Sequence, residues 1–101
     1  MKNAAVSIEI EGIVQGVGFR PFVHRLAERF GLNGYTLNTS EGITIYAEAG
    51  RQKTDAFLKA LTAEVPPLAR ITGIKTRQVA PQGITGFSIR ESKKTQQQTA
   101  L

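Results

Sequence analysis

The sequence predicts an α+β domain in which two helices cover one face of an antiparallel sheet. Three observations predict it. Apolar residues alternate with polar ones in several short segments, the period-2 mark of half-buried strands. Two other segments carry apolar residues three and four apart, the spacing of one helix face. The segments follow one another as β-α-β-β-α-β with an extra short strand, and 101 residues, 41% of them hydrophobic, suffice for one core and not for two.

The first strand covers 5–11, where Val6, Ile8 and Ile10 share one parity and Ser7, Glu9 and Glu11 the other. Gly12 to Arg20 reads as a glycine-rich loop. Pro21 suits the first turn of a helix over 21–30, since its missing N–H costs nothing there. Phe22, Val23, Leu26, Ala27 and Phe30 form the apolar stripe of that helix, with His24, Arg25, Glu28 and Arg29 opposite and Gly31 as its stop. A second strand follows over 34–39, with Tyr35 and Leu37 on one parity and Thr36 and Asn38 on the other. Ser40-Glu41-Gly42 turns the chain into a third strand marked by Ile43, Ile45, Ala47 and Ala49. The second helix begins near Gln52–Thr54, buries Phe57, Leu58, Leu61 and Val65, and stops at Pro66-Pro67. Ile71 and Ile74 lie on opposite parities around Gly73, which predicts a bulged strand near an edge, and Phe87 and Ile89 mark a short last strand. Residues 1–91 are thus the folded domain, and 92–101, without periodicity, read as a disordered tail or linker.

This order is that of a ferredoxin-like sandwich, the split βαβ arrangement. The first crossover should be right-handed, with strands 5–11 and 34–39 parallel. Parallel strands end at the same edge of a sheet, so the loop 12–20, the start of the first helix and the end of the second strand should meet at one corner. Arg20 and Asn38 belong to that corner.

Composition excludes several chemistries. Without cysteine there is no disulfide framework, thiolate nucleophile or sulfur-ligated metal, and the single histidine, His24, removes most histidine-based metal sites. No apolar run approaches the roughly 20 residues that span a bilayer. Ser7 and Glu9 interrupt any signal-peptide core, so a soluble cytoplasmic protein with no membrane partner is expected. Thirteen Lys and Arg against eight Asp and Glu give a net charge of +5, but the basic residues are scattered and form no polyanion-binding block. A base-stacking sheet of the RNA-binding type is poorly supported, because the first strand has no aromatic and the third only Tyr46. No nucleic-acid partner is expected.

The loop GIVQGVGFR feeding a helix has the features of an anion cradle. Gly16 and Gly18 let several N–H groups turn inward, the helix start adds partial positive charge, and Arg20 adds a planar fork that matches two phosphate oxygens. The same string also reads as an ordinary glycine-rich connection carrying a surface arginine. It is no dinucleotide fingerprint, which needs glycine where Pro21 stands, and no Walker A loop, which needs a lysine and another spacing.

VQGVGFR at 14–20, followed by Asn38 and a turn containing Gly42, resembles the acylphosphatase signature, and the resemblance extends over about residues 5–91. FRPFVHRLA at 19–27, PPLARI at 66–71 and GFSIRES at 86–92 resemble the branch found as the N-terminal acylphosphatase-like domain of the hydrogenase maturation carbamoyltransferase HypF, and Pro21 points the same way. The resemblance implies metal-independent hydrolysis of a carboxyl–phosphate bond, without cofactor, metal or covalent intermediate. In the HypF branch the implied substrate is carbamoyl phosphate, and the implied partners are HypE and the further domains of a larger carbamoyltransferase. Alone, the domain is expected to be monomeric and to bind a small acyl phosphate or inorganic phosphate. Carried over residue by residue, Arg20 binds the phosphoryl group with the main-chain N–H groups of Gln15, Gly16, Val17, Gly18 and Phe19, and Asn38 holds the attacking water. Two other readings stay open: a free-standing acylphosphatase, and a phosphate-binding or docking module without catalysis. Glu11 and Glu41 are the nearest carboxylates in sequence, neither firmly placed as a base. His24 reads as a solvated surface histidine rather than a base or phosphohistidine, and Tyr35 and Phe22 read as core residues rather than ligand-stacking ones.

Overall fold

The computed structural model describes residues 4–15 and 18–90. The expected tail at 92–101, and Glu91 before it, lie outside the described residues. The elements run β1 (Ala4–Ile13), α1 (Phe19–Phe30), β2 (Asn33–Asn38), β3 (Gly42–Ala49), α2 (Arg51–Ala63), β4 (Arg70–Val79) and β5 (Phe87–Ile89). They form one five-stranded sheet of order β4-β1-β3-β2-β5. β3 runs antiparallel to both β1 and β2, so β1 and β2 are parallel to each other, as the crossover requires. The first four strands are antiparallel to their neighbours, whereas β5 joins β2 in parallel and makes the sheet mixed at that edge. The α+β, ferredoxin-like fold class stands.

Alternation explains the two central strands. Ile8 faces Ile45 and Ile10 faces Ile43 across the β1–β3 ladder, and all four are at most 1% exposed. Both helices pack on this face of the sheet, contributing Val23, Ala27, Phe57 and Leu61, which are fully buried. Burying a large apolar side chain is worth about 1.5–3 kcal/mol, so this layer supplies most of what offsets chain entropy.

α1 starts two residues earlier than the proline suggests. Gly18, at φ 78°, turns the chain in the left-handed region that glycine tolerates, and Phe22 N–H bonds the Gly18 carbonyl at 3.2 Å. Its end is a Schellman motif: Leu32 N–H reaches the Ala27 carbonyl at 2.9 Å and Gly31 N–H that of Glu28 at 3.2 Å, with Gly31 at φ 71°. α2 stops at Ala63, so Val65 falls beyond it; a residue before proline is driven out of the helical region. On β4 the pairing jumps from Glu11–Gly73 to Gly12–Ile71, leaving Thr72 as the extra residue of a bulge on an edge strand.

Two sequence readings are corrected. Tyr35 is not in the core. It pairs with Tyr46 on the face turned away from the helices, where the rings stack at 5.2 Å and Arg90 lies 3.9 Å over Tyr35. The helix-facing parity of β2 is instead the small and polar set Gly34, Thr36 and Asn38, paired with Ala47, Ile45 and Ile43. His24 is not a solvated surface residue either. Its half-buried ring donates from Nε2 to the Phe87 carbonyl at 3.0 Å, which ties α1 to β5, with Glu28 3.6 Å away. Phe22 is a core residue, as read.

The outer face is closed at one end by residues 80–86. Glu48, 6% exposed, accepts hydrogen bonds at Oε2 from the Tyr46 hydroxyl and from the N–H groups of Gln82 and Gly83, both at 2.7 Å, with Ile84 at 3.4 Å. The Tyr46 bond and these N–H groups hold the Glu48 carboxyl below its ordinary range although desolvation opposes them. Burial first, and then the Glu48 bond, push the Tyr46 hydroxyl above its own.

Candidate functional site

β1 leaves the sheet at Ile13, and α1 begins at Phe19. The N-cap Gly18 has no side chain to satisfy the first-turn donors, and Pro21 has no N–H to satisfy. No acidic residue lies in the first turn. The Phe19 and Arg20 N–H groups therefore start a 12-residue helix without a side-chain cap among the described residues and with the positive end of its dipole behind them. Phe19, 1% exposed, anchors this start in the core and packs its ring 5.5 Å from that of Phe22. Arg20 follows in the first turn, half-buried, and makes no ion pair among the described residues. Gly16 and Val17, two of the expected cradle residues, lie outside the described residues.

Asn38 ends β2 on the helix-facing parity. Because β1 and β2 are parallel, its end of β2 and the loop after β1 occupy the same edge of the sheet. Asn38 Oδ1 is buried and has no hydrogen-bond partner among the described residues. A buried carbonyl oxygen left without a partner costs about 1–3 kcal/mol, so this atom is poised to accept a donor.

The turn after Asn38 is closed on itself: Thr39 N–H bonds the Gly42 carbonyl at 2.9 Å and Gly42 N–H bonds Thr39 Oγ1 at 3.1 Å. Gly42 fits only without a side chain, since a Cβ there would lie 1.8 Å from the Ile10 carbonyl oxygen. Gln15, expected to act only through its main chain, also reaches this turn with its side chain. Its Nε2 donates to the Thr39 carbonyl at 2.7 Å and to the Gly42 carbonyl at 2.8 Å. Nothing in the sequence pattern except the glutamine itself signals that bridge.

The carboxylates nearest in sequence do not serve this corner. Glu9 and Glu11 alternate onto the opposite face from Ile8 and Ile10, and with Glu41 they line a separate cavity of about 180 Å³. Among the described residues no group of three or more His, Asp or Glu is placed to hold a metal ion. No helix among them is long and apolar enough to cross a membrane. The corner offers a positive helix end, a guanidinium and an amide oxygen awaiting a donor, a set suited to an anion beside a water molecule.

Known proteins share this architecture and sequence. The acylphosphatase family model matches residues 6–89. An acylphosphatase from Thermotoga petrophila is 39% identical over 87 residues, covering 85% of this chain and 96% of that protein. The carbamoyltransferase HypF of Synechocystis sp. is 40% identical over 87 residues, covering 86% of this chain but only 11% of HypF. A full-length HypF solved in a phosphate- and nucleotide-bound form superposes with a TM-score of 0.85 at 36% identity, over 91% of this chain and 13% of that one. Fold, sequence and signature string agree: the chain belongs to the acylphosphatase family.

Proposed function

We propose that this chain hydrolyses a carboxyl–phosphate bond at the corner formed by the loop after β1, the start of α1 and the end of β2. In this reading the Arg20 guanidinium and the N–H groups of Gln15 to Phe19 bind the phosphoryl oxygens. Asn38 Oδ1 accepts a hydrogen bond from a water and aims its lone pair at phosphorus. The water oxygen forms a bond to phosphorus, the bond from phosphorus to the acyl oxygen breaks, and the carboxylate leaves with that electron pair. The water's proton passes to a phosphoryl oxygen of the substrate, because Glu9 and Glu11 lie on the other face and Glu41 lines the same cavity as they do. Phosphoryl transfer asks the protein chiefly for position and charge, and both are supplied here by donors, so the reading needs no metal.

The observation that carries this reading is the buried Asn38 Oδ1 at the end of β2, which has no partner among the described residues. The similarity to both free-standing acylphosphatases and HypF supports it. Identity alone does not separate the branches, at 40% to a carbamoyltransferase HypF and 39% to a free-standing acylphosphatase. It is the HypF-like strings at 19–27, 66–71 and 86–92 that support carbamoyl phosphate as substrate, with the chain acting beside the further domains of a carbamoyltransferase and, in nickel–iron hydrogenase maturation, ahead of a HypE partner.

Phosphate release from acetyl phosphate and carbamoyl phosphate, with a chelator present, tests the reading. Arg20→Ala should lose about 10²–10³-fold in rate, the scale of a transition-state charge partner. Asn38→Ala should lower turnover while leaving inorganic phosphate affinity nearly unchanged. Full turnover in Asn38→Ala refutes the water-holding role. A wild-type protein that binds phosphate without releasing any from either substrate selects the docking reading instead.

A further inference from the structure

Two features of the corner come from distant parts of the chain. In the hydrolytic reading the anion-binding side includes Gln15, Gly18, Phe19 and Arg20, and the water-holding side is Asn38. In-line attack requires the two to keep one relative position, and a misplacement of about 1 Å can cost about 10²-fold in rate. A side chain that fixes this spacing is therefore as consequential as one that touches substrate.

We infer that the Gln15 side chain is such a positioning residue, a clamp that holds the phosphate loop against the turn that follows Asn38; this rests on the hydrolytic reading above. Its Nε2 spends both hydrogens on carbonyls of that turn, Thr39 at 2.7 Å and Gly42 at 2.8 Å. Thr39 is the residue bonded to Asn38, and Gln15 lies in the loop that leads into Gly18 and Arg20. Upstream of this loop β1 meets the turn through its ladder with β3, which ends at the Glu11–Gly42 pair, and through Gly12 N–H to the Glu41 carbonyl at 3.4 Å, long for such a bond; the Gln15 side chain carries the tie into the loop itself.

A neutral amide of this length fits the task. Two carbonyl acceptors require two donors on one nitrogen, which a carboxylate lacks. A lysine would add a charge where both partners are neutral, and asparagine is one methylene shorter. Folding does not need the clamp, because the turn is closed by its own Thr39–Gly42 bonds and Gln15 is exposed. An exposed side chain with two strong bonds to the neighbouring backbone acts on geometry more than on stability.

The test uses the full chain with Gln15→Ala and Gln15→Glu, measuring kcat with acetyl phosphate, affinity for inorganic phosphate, and Tm. Both variants should lose about 10- to 100-fold in kcat, keep phosphate affinity within about threefold, and melt near the wild-type temperature. In Gln15→Glu the carboxylate faces two carbonyl oxygens at neutral pH; on acidification the protonated carboxyl regains one O–H donor. The kcat of Gln15→Glu relative to wild type should therefore rise as pH falls, whereas that of Gln15→Ala should not. Turnover within twofold of wild type in both variants overturns the clamp, as does a loss explained entirely by a smaller folded fraction. Arg20→Ala and Asn38→Ala, run alongside, separate the two levels. If these lose turnover and the Gln15 variants do not, only the clamp falls; if these retain turnover, the hydrolytic reading falls and takes the clamp with it.

Discussion

Thr36 offers a direct measure of what the site's architecture costs. Its side chain is fully buried on the helix-facing side of β2, between Gly34 and Asn38, and its Oγ1 has no hydrogen-bond partner among the described residues. Replacing it by valine keeps the β-branched shape and the strand preference while exchanging the hydroxyl for a methyl group. The desolvation penalty of a partnerless buried hydroxyl is about 1–3 kcal/mol, and a buried methyl adds up to about 0.8 kcal/mol of transfer free energy. Allowing for relaxation around the new methyl, Thr36→Val should gain at least about 1 kcal/mol. For a domain of this size that is about 4–8 °C in Tm. Thermal unfolding followed by circular dichroism, together with the urea midpoint at unchanged m-value, measures it. Turnover should be unaffected. A Tm equal to or below that of the wild type would refute the reasoning, because it would mean that the hydroxyl has a partner whose loss costs more than its burial.

Other parts of the structure make equally definite predictions. Asn38→Ala removes an oxygen that bonds nothing in the described structure, so its Tm should be no lower than that of the wild type even as turnover falls, measured on the same sample. Glu48, with its carboxyl lowered mainly by Tyr46, contributes stability that is complete above the unfolded carboxyl's ordinary value and is lost as pH falls through the lower folded value. Glu48→Gln should therefore flatten the acid limb of the stability–pH curve, and the Gln82, Gly83 and Ile84 amides should exchange hydrogen faster. Gly34→Ala should fail to fold or melt far below the wild type, since its Cβ would sit 1.8 Å from the Tyr46 carbonyl oxygen at φ 150°; a near-native melting curve contradicts the β2–β3 register. Phe57→Ala, at a fully buried position, should lose about 3–5 kcal/mol in urea unfolding.

Much of this protein was legible in local pattern. The period-2 runs at Val6–Ile8–Ile10 and Ile43–Ile45–Ala47 located both central strands, because a half-buried strand must alternate whatever surrounds it. Gly31, Pro66-Pro67 and the parity change around Gly73 marked a helix cap, a helix stop and a bulge, since each is a backbone requirement met by the residue itself. That the end of β1 and the end of β2 share one edge of the sheet was legible because a strand–helix–strand crossover returns the chain parallel.

Tertiary structure decided what pairing and cover decide. On β2 the apolar residues Tyr35 and Leu37 point away from the helices and the polar Thr36 and Asn38 point toward them, the reverse of what alternation suggests. The reversal holds because residues 80–86 and Arg90 cover the outer face beside Tyr35 and Tyr46, which gives aromatic rings a second place to be buried. The half-buried His24 and the Gln15 bridge were likewise invisible, since each depends on a carbonyl distant in sequence. Hydrophobic period is a property of a segment, whereas the face a segment buries depends on what packs over it. Hydrogen bonds between distant parts of the chain exist only once the fold has brought them together.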